Sequence, residues 1–309
     1  MNVGIKVSKN ELKKQSFFKD VYNSKYRSNL LKLNKKFGIS NKLLVNEIRH
    51  NKKQFDYIIF RLLNDYHSKL NNKYDSDEIT DHQIKKSKIY AKIIKNVLFD
   101  MGIIAEKETK NTRKYLDIGC EDFFIPSAVG EAVNAKQISC INIDNWESSS
   151  YNIEIGADIK NVGCNGKKCI INGWTNPKIK FDFKYYNGWD IPYSKSSIDV
   201  ISAFMVIHHV EKFNKLLKSI HSVLKKGGVF IIRDHNCPDD TYAKLLDLVH
   251  YYYDIVIADN TKIPAMIDYK TNYYTSSDLI GIVEKAGFKM MKYIDYKHSD
   301  AFFAFFVKI

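Results

Sequence analysis

From Lys114 onward, short apolar runs alternate with helical stretches, and few folds accept that order. The runs KYLDIG (114–119), QISCINID (137–144), IKFDFKYY (179–186), IDVISAF (198–204) and GVFIIRDH (228–235) have the length and β-branched or aromatic content of strands. Helical patterns fall between several of them, at Ile125–Asn134, Glu211–Leu224 and Thr241–Ala258. Strands alternating with helices predict parallel βαβ units and an α/β sheet covered on both faces. The end differs. After the helix SSDLIGIVEKAGF, the runs FKMMKYIDY and AFFAFFVKI are separated only by KHSD, which predicts a β-hairpin. The expected architecture is therefore a Rossmann-like, mostly parallel seven-stranded sheet with an antiparallel C-terminal hairpin.

The first third reads differently. Leu12, Phe17, Val21 and Tyr22, then Leu44, Val45, Ile48, Phe55, Ile58, Ile59 and Leu62, recur at helical spacing. Asn71–Asp81 is polar and acid-rich and reads as a loop. DHQIKKSKIYAKIIKNVLFDMG then predicts a helix with Tyr90, Ile93, Ile94, Val97 and Leu98 on one face, ended by Gly102. Two regions follow: a basic helical region over 1–112 and an α/β domain over 113–309. The stretch 147–178, with three glycines and few apolar runs, reads as an irregular insertion.

Composition narrows the class. The chain of 309 residues is 45% hydrophobic and 27% charged, enough apolar material for a full core. No stretch approaches a membrane span, and the N-terminus lacks the apolar core of a signal peptide. Five cysteines, an odd number, predict reduced thiols and a cytoplasmic setting. Charge is unevenly placed. Residues 1–114 carry 26 Lys and Arg against 12 Asp and Glu, a net +14, whereas 115–309 carry 22 against 23, a net −1. That asymmetry points to a polyanionic partner, RNA before membrane, or to a solvated lysine-rich surface.

Ligands of open α/β sheets bind beyond the carboxyl ends of the strands. At the first such end, in YLDIGCEDFF, Asp117 supplies an acceptor and Gly119 lets backbone approach a ligand. Asp144, closing INID, is placed to accept both hydroxyls of a ribose.

LDIGC, INID, YYNGWDIPYSKSSIDVISAFMVIHHV and LKSIHSVLKKGGVFIIRDH together resemble consecutive motifs of class I S-adenosylmethionine-dependent methyltransferases, the type 11 group above all. The resemblance spans about 113–309 in the right order. It implies S-adenosyl-L-methionine as cofactor, with Asp117, Gly119, Cys120 and Glu121 at the methionine side. Asp144 would hold the ribose, with Asn145 and Trp146 beside the adenine. Asn187, Gly188 and Trp189 would border the adenine, Asn187 standing where the family often has an acidic residue. Phe204 and Met205 would line the sulfonium region. One departure stands out: Glu121 and Phe123 replace two glycines of the usual Gly-x-Gly-x-Gly turn.

Methyl transfer from a sulfonium needs in-line positioning and, for an acidic nucleophile, a base. Histidines and carboxylates at the sheet's carboxyl edge supply candidates: His208 and His209 after the fourth strand, and Asp234 and His235 after the fifth. His209, Asp234 and His235 are the expected catalytic set, and His208 the expected structural member of its pair. No H-E-x-x-H or Cys/His spacing suggests a metal. The expected activity is methyl transfer to RNA, the mRNA cap guanine included, through the basic N-terminal region. The alternatives are a small-molecule methyltransferase with a helical lid, or an inactive methyltransferase-like subunit that binds RNA or a protein partner.

Overall fold

The computed structural model describes residues 76–105, 112–120, 124–143, 180–240, 242–243, 246–247, 250, 271–295 and 301–309. The helices expected before residue 71, the insertion 147–178 and Glu121, Asp122, Phe123, Asp144, Asn145 and Trp146 lie outside them. The chain forms two compact units, one of residues 1–73 and 237–269, the other of 74–236 and 270–309. In the first unit, Tyr242, Ala243, Leu246, Asp247 and His250 are helical, and Asp239 Oδ1 accepts from the Tyr242 N–H at 2.8 Å. That bond caps the helix start.

The second unit holds a seven-stranded sheet. Its elements are α1 (Ser76–Asp100), β1 (Arg113–Ile118), α2 (Phe124–Ala132), β2 (Ala135–Ile143), β3 (Lys180–Tyr186), β4 (Ile198–Phe204), a 3₁₀ turn (Ile207–His209), α3 (Phe213–Val223), β5 (Leu224–His235), α4 (Ser276–Lys285), β6 (Phe288–Asp295) and β7 (Ala301–Lys308). The strand order is β3-β2-β1-β4-β5-β7-β6. β1 to β5 run parallel to one another, whereas β7 runs antiparallel to both β5 and β6. Only a short link joins β6 to β7, and a link that short permits nothing but an antiparallel return. The expected fold class is the one observed.

Two layers of helices explain why the strands read as unbroken apolar runs. Leu116, Ile118, Phe230, Ile232, Phe302, Ala304 and Phe306 face one side with α3 and α4. Tyr115, Val229, Ile231, Phe303 and Phe305 face the other with α1 and α2. The alternation of neighbouring residues between the two clusters is the period of two that a strand imposes. α3 buries Phe213, Leu216, Leu217, Ile220 and Val223, a stripe at helical spacing. β7 is buried from Ala301 to Phe306 because it lies inside the sheet, while β6, at its edge, keeps exposed lysines.

Two boundaries differ from expectation. α1 starts at Ser76, inside the stretch read as a loop. Acid-rich composition alone reads as loop, because it does not register a helix start. α1 also buries Tyr90, Ile94, Val97 and Leu98 in the same cluster as the sheet. β5 begins at Leu224, so Leu224 to Gly227 fall within the strand instead of preceding it. The pairing steps from Ile198↔Leu224 to Val200↔Val229, and this bulge absorbs them.

Candidate functional site

Four parallel strands end around one cavity of about 500 Å³. Gly119 follows β1, Asn142 and Ile143 close β2, Tyr186 to Trp189 close β3, and Met205 and Val206 follow β4. The chain from His209 to Lys212 forms the remaining wall. Its place at the carboxyl edge is where open α/β sheets hold ligands.

Backbone conformation is unusual on this wall. Gly119 (φ +76) and Gly188 (φ +89) occupy the left-handed region, and so does Met205 (φ +57), which has a side chain. Its N–H donates to Arg233 O at 2.7 Å, which holds the strained residue in place. The Asn142 side chain donates to Cys120 O at 3.3 Å and accepts from the Ile143 N–H at 2.9 Å, tying the end of β2 to the turn after β1. Asn187 Oδ1 accepts from the N–H groups of Trp189 and Asp190 at 3.1 and 2.8 Å, while its Nδ2 donates to Asp190 Oδ2 at 2.9 Å. Lys212 Nζ sits 3.6 Å over the Trp189 ring, and Lys215 Nζ lies 5.8 Å from it.

Six of the residues expected to serve the site line this cavity: Gly119, Asn187, Gly188, Trp189, Met205 and His209. Three others are turned elsewhere. Asp117 is buried beneath the turn, where the Ser202 hydroxyl donates to its Oδ1 and the Tyr115 hydroxyl lies 3.3 Å away. Tyr115 and Ser202 are themselves 2.6 Å apart, so the three form one closed polar group between β1 and β4. Burial, then the nearby Asp117 charge, pushes the Tyr115 phenol well above its usual range. Cys120 packs with Cys140 against Phe181 and Phe183. Phe204 packs its ring 6.1 Å from Tyr90 and 6.2 Å from Phe303, because the strand's alternation sends it to the α1 side. Glu121, Asp144 and Asn145 lie outside the described residues. Asn142, Val206 and Lys212 were not foreseen; only Asn142 left a trace, as a polar residue in the apolar run ISCINI.

Beside the cavity, the ends of β4 and β5 form a second cluster. His208 is 1% exposed, and its Nδ1 lies 2.6 Å from Asp234 Oδ1. Asp234 also accepts from the N–H of His235 at 2.7 Å and of His208 at 3.2 Å. Burial pushes the Asp234 carboxyl up, opposed by the positive charge available on His235 and His209 and by the two backbone donors. The expected set His209, Asp234 and His235 is thus brought together around His208. His208 is the buried member of its pair, with its ring on the Asp234 carboxylate.

S-adenosylmethionine fits the cavity described. Glycines at 119 and 188 present bare backbone, Trp189 and Tyr186 offer aromatic faces, and Met205 sits above the central strands. Bound there, the cofactor supplies an electrophilic sulfonium methyl. The turns after β1 and β3 would be the chain's means of holding it, since both line the cavity.

Comparison with known proteins bears on this reading. No curated protein matches the chain. Solved structures similar to it include an S-adenosylmethionine-dependent methyltransferase from Aquifex aeolicus, at 16% identity over 77% of this chain and 100% of that one, with a TM-score of 0.43. Another, from Mesorhizobium loti, shares 11% identity over 67% of this chain and 95% of its own, with a TM-score of 0.44. A geranyl diphosphate methyltransferase in complex with S-adenosylmethionine shares 7% identity over 72% of this chain and 85% of its own, with a TM-score of 0.47. The model of a family described as a methyltransferase domain matches residues 86–293, from the middle of α1 into β6, and the chain therefore belongs to the S-adenosylmethionine-dependent methyltransferases of that family.

Proposed function

We propose that this methyltransferase acts on RNA, which its basic N-terminal region holds. The observation that carries the reading is the charge split, +14 over residues 1–114 against −1 over the rest. Residues 1–75 alone hold 17 Lys and Arg against 6 Asp and Glu, a net +11. A chain that keeps its α/β domain neutral and concentrates positive charge in one segment has a surface suited to phosphate. Lys212 and Lys215 beside Trp189 put further positive charge at the cavity wall.

Counterion release makes the test quantitative. Binding of single-stranded RNA to the full chain weakens with salt by about 0.7 log unit in affinity per decade of salt for each phosphate neutralised. Replacing Lys9, Lys13, Lys14 and Lys19 with Gln lowers that slope and raises the RNA KM, with cofactor affinity unchanged. A salt-independent affinity, or label from the cofactor passing only to small molecules, would sink the RNA reading and leave a small-molecule methyltransferase.

A further inference from the structure

We propose that His209 is the general base of the transfer, held by the buried His208–Asp234 pair, and that the acceptor is an N–H or O–H group which must lose a proton. The inference rests on the methyltransferase activity and not on RNA as substrate.

Placement carries the first step. His209 lines the cavity with Gly119 and Met205. Its ring lies 4.0 Å from that of His208, tilted by 50°. His208 itself is 1% exposed and does not line the cavity, so it positions while His209 reaches the acceptor.

The turn carrying both rings is fixed from every side. The His208 imidazole and N–H both engage the Asp234 carboxylate, at 2.6 and 3.2 Å. The carbonyl of His208 accepts from the Asn272 N–H at 2.7 Å, and the His209 N–H donates to Val206 O at 3.0 Å. Tyr273 stacks on the His208 ring, at 5.6 Å and 19°. Burying a carboxylate and an imidazole side by side is costly unless their bonds are met, and here they are. A methyltransferase whose acceptor offers a free lone pair, such as an aromatic ring nitrogen, has no use for such a construction. One that must remove a proton gains a ring of fixed orientation, with a carboxylate close enough to attract the charge it acquires.

The step balances. The acceptor's N or O attacks the methyl carbon, the carbon–sulfur bond breaks, and its electron pair leaves with the now neutral thioether. The acceptor's proton passes to the imidazole of His209 and then to solvent. The positive charge of the sulfonium ends as that proton. Among the described residues, His208, Asp234, Glu211 and Lys212 lie near His209, while His235 and Tyr273 pack on His208 and Tyr274 feels the Asp234 charge.

The test uses the full chain with labelled S-adenosylmethionine and two acceptor pools: total RNA, and a deproteinised metabolite extract. Rates run from about pH 5.5 to 9. Wild-type enzyme shows a rate that rises to a plateau through one ionisation in the histidine range. His209→Gln lowers the rate by about 100-fold or more and leaves a rate climbing with hydroxide, with cofactor affinity by calorimetry unchanged. Asp234→Asn lowers the plateau and moves the rising limb to lower pH. A merely structural His209 would leave the profile's shape alone. The product, by mass spectrometry, is methylated at N–H or O–H and carries no fixed charge. A permanently cationic product, a His209→Gln rate within about threefold of wild type, or transfer to neither pool overturns the proposal. Transfer to the metabolite pool alone, with the histidine effects intact, supports it and removes RNA as substrate.

Discussion

Gly119 and Val206 are fitted to each other: a Cβ added to Gly119 would stand 2.4 Å from Val206 Cγ2 and 2.9 Å from its Cβ. The turn after β1 and the turn after β4 therefore share one space at the head of the cavity. Gly119 also has φ +76, a conformation costly for any residue with a side chain. Gly119→Ala is expected to destabilise the fold by about 2–4 kcal/mol, strain and overpacking together. Adding Val206→Ala removes the 2.4 Å contact but leaves the φ and the 2.9 Å contact with Cβ, so it restores part of the loss. Denaturant unfolding of wild type and the two variants, with calorimetry for S-adenosylmethionine, checks this. Equal stability of the single and double variants would show that the two turns do not share that space.

Asn187 shapes the turn after β3. Its Oδ1 already accepts two backbone N–H groups, from Trp189 and Asp190, which uses both lone pairs. Asn187→Ala is expected to release the turn that presents Gly188 and Trp189, weakening cofactor affinity by about tenfold, roughly 1.4 kcal/mol. Asn187→Asp keeps the acceptor but turns the Asp190 contact repulsive, so its affinity lies between. Calorimetric titration of both variants decides. If Asn187→Asp binds more tightly than wild type, a carboxylate there reaches the cofactor and the turn-forming role is secondary.

How far the sequence could be read follows from the range of each interaction. Strand identity was legible because β1, β4 and β5 are buried on both faces, and burial on both faces leaves an apolar run. The hairpin of β6 and β7 was legible from the few residues between its strands. Side-chain direction was less so. Phe204 and Met205 are adjacent, yet one packs on Tyr90 while the other, at φ +57, lines the cavity. Only the strand's alternation and the backbone reversal separate them. Asp117 stands at a strand end as a ligand would, but its partner Ser202 is 85 positions away. The His208–Asp234 pair spans 26 residues and depends on β4 and β5 being neighbours, which the order of elements implies and no local motif does.

Lys308 closes the opposite end of the domain, and it gives the protein a pH dependence. Its ammonium donates to His221 O at 2.6 Å, in the last turn of α3, and to Leu224 O at 2.7 Å, on the residue that follows it. Positive charge at a helix C-terminus is favourable, and Lys308→Met should cost about 1–2 kcal/mol. The same ammonium repels a proton on His221, whose ring packs edge-on to Phe288 at 5.4 Å. Burial first, and Lys308 second, hold the His221 imidazole below its usual value of 6.5. A lowered histidine binds fewer protons folded than unfolded. Its contribution is therefore present above about pH 6.5 and is lost as pH falls toward the folded value. Relative to His221→Gln, wild-type protein should lose stability between about pH 6.5 and 5. Lys308→Met should shrink that loss, because one of the two causes is gone while burial remains. Urea unfolding of the three proteins at pH 7.5 and 5.5 measures it. A wild type that gains stability on His221→Gln at pH 7.5 but not at 5.5 would reverse the sign and refute the assignment.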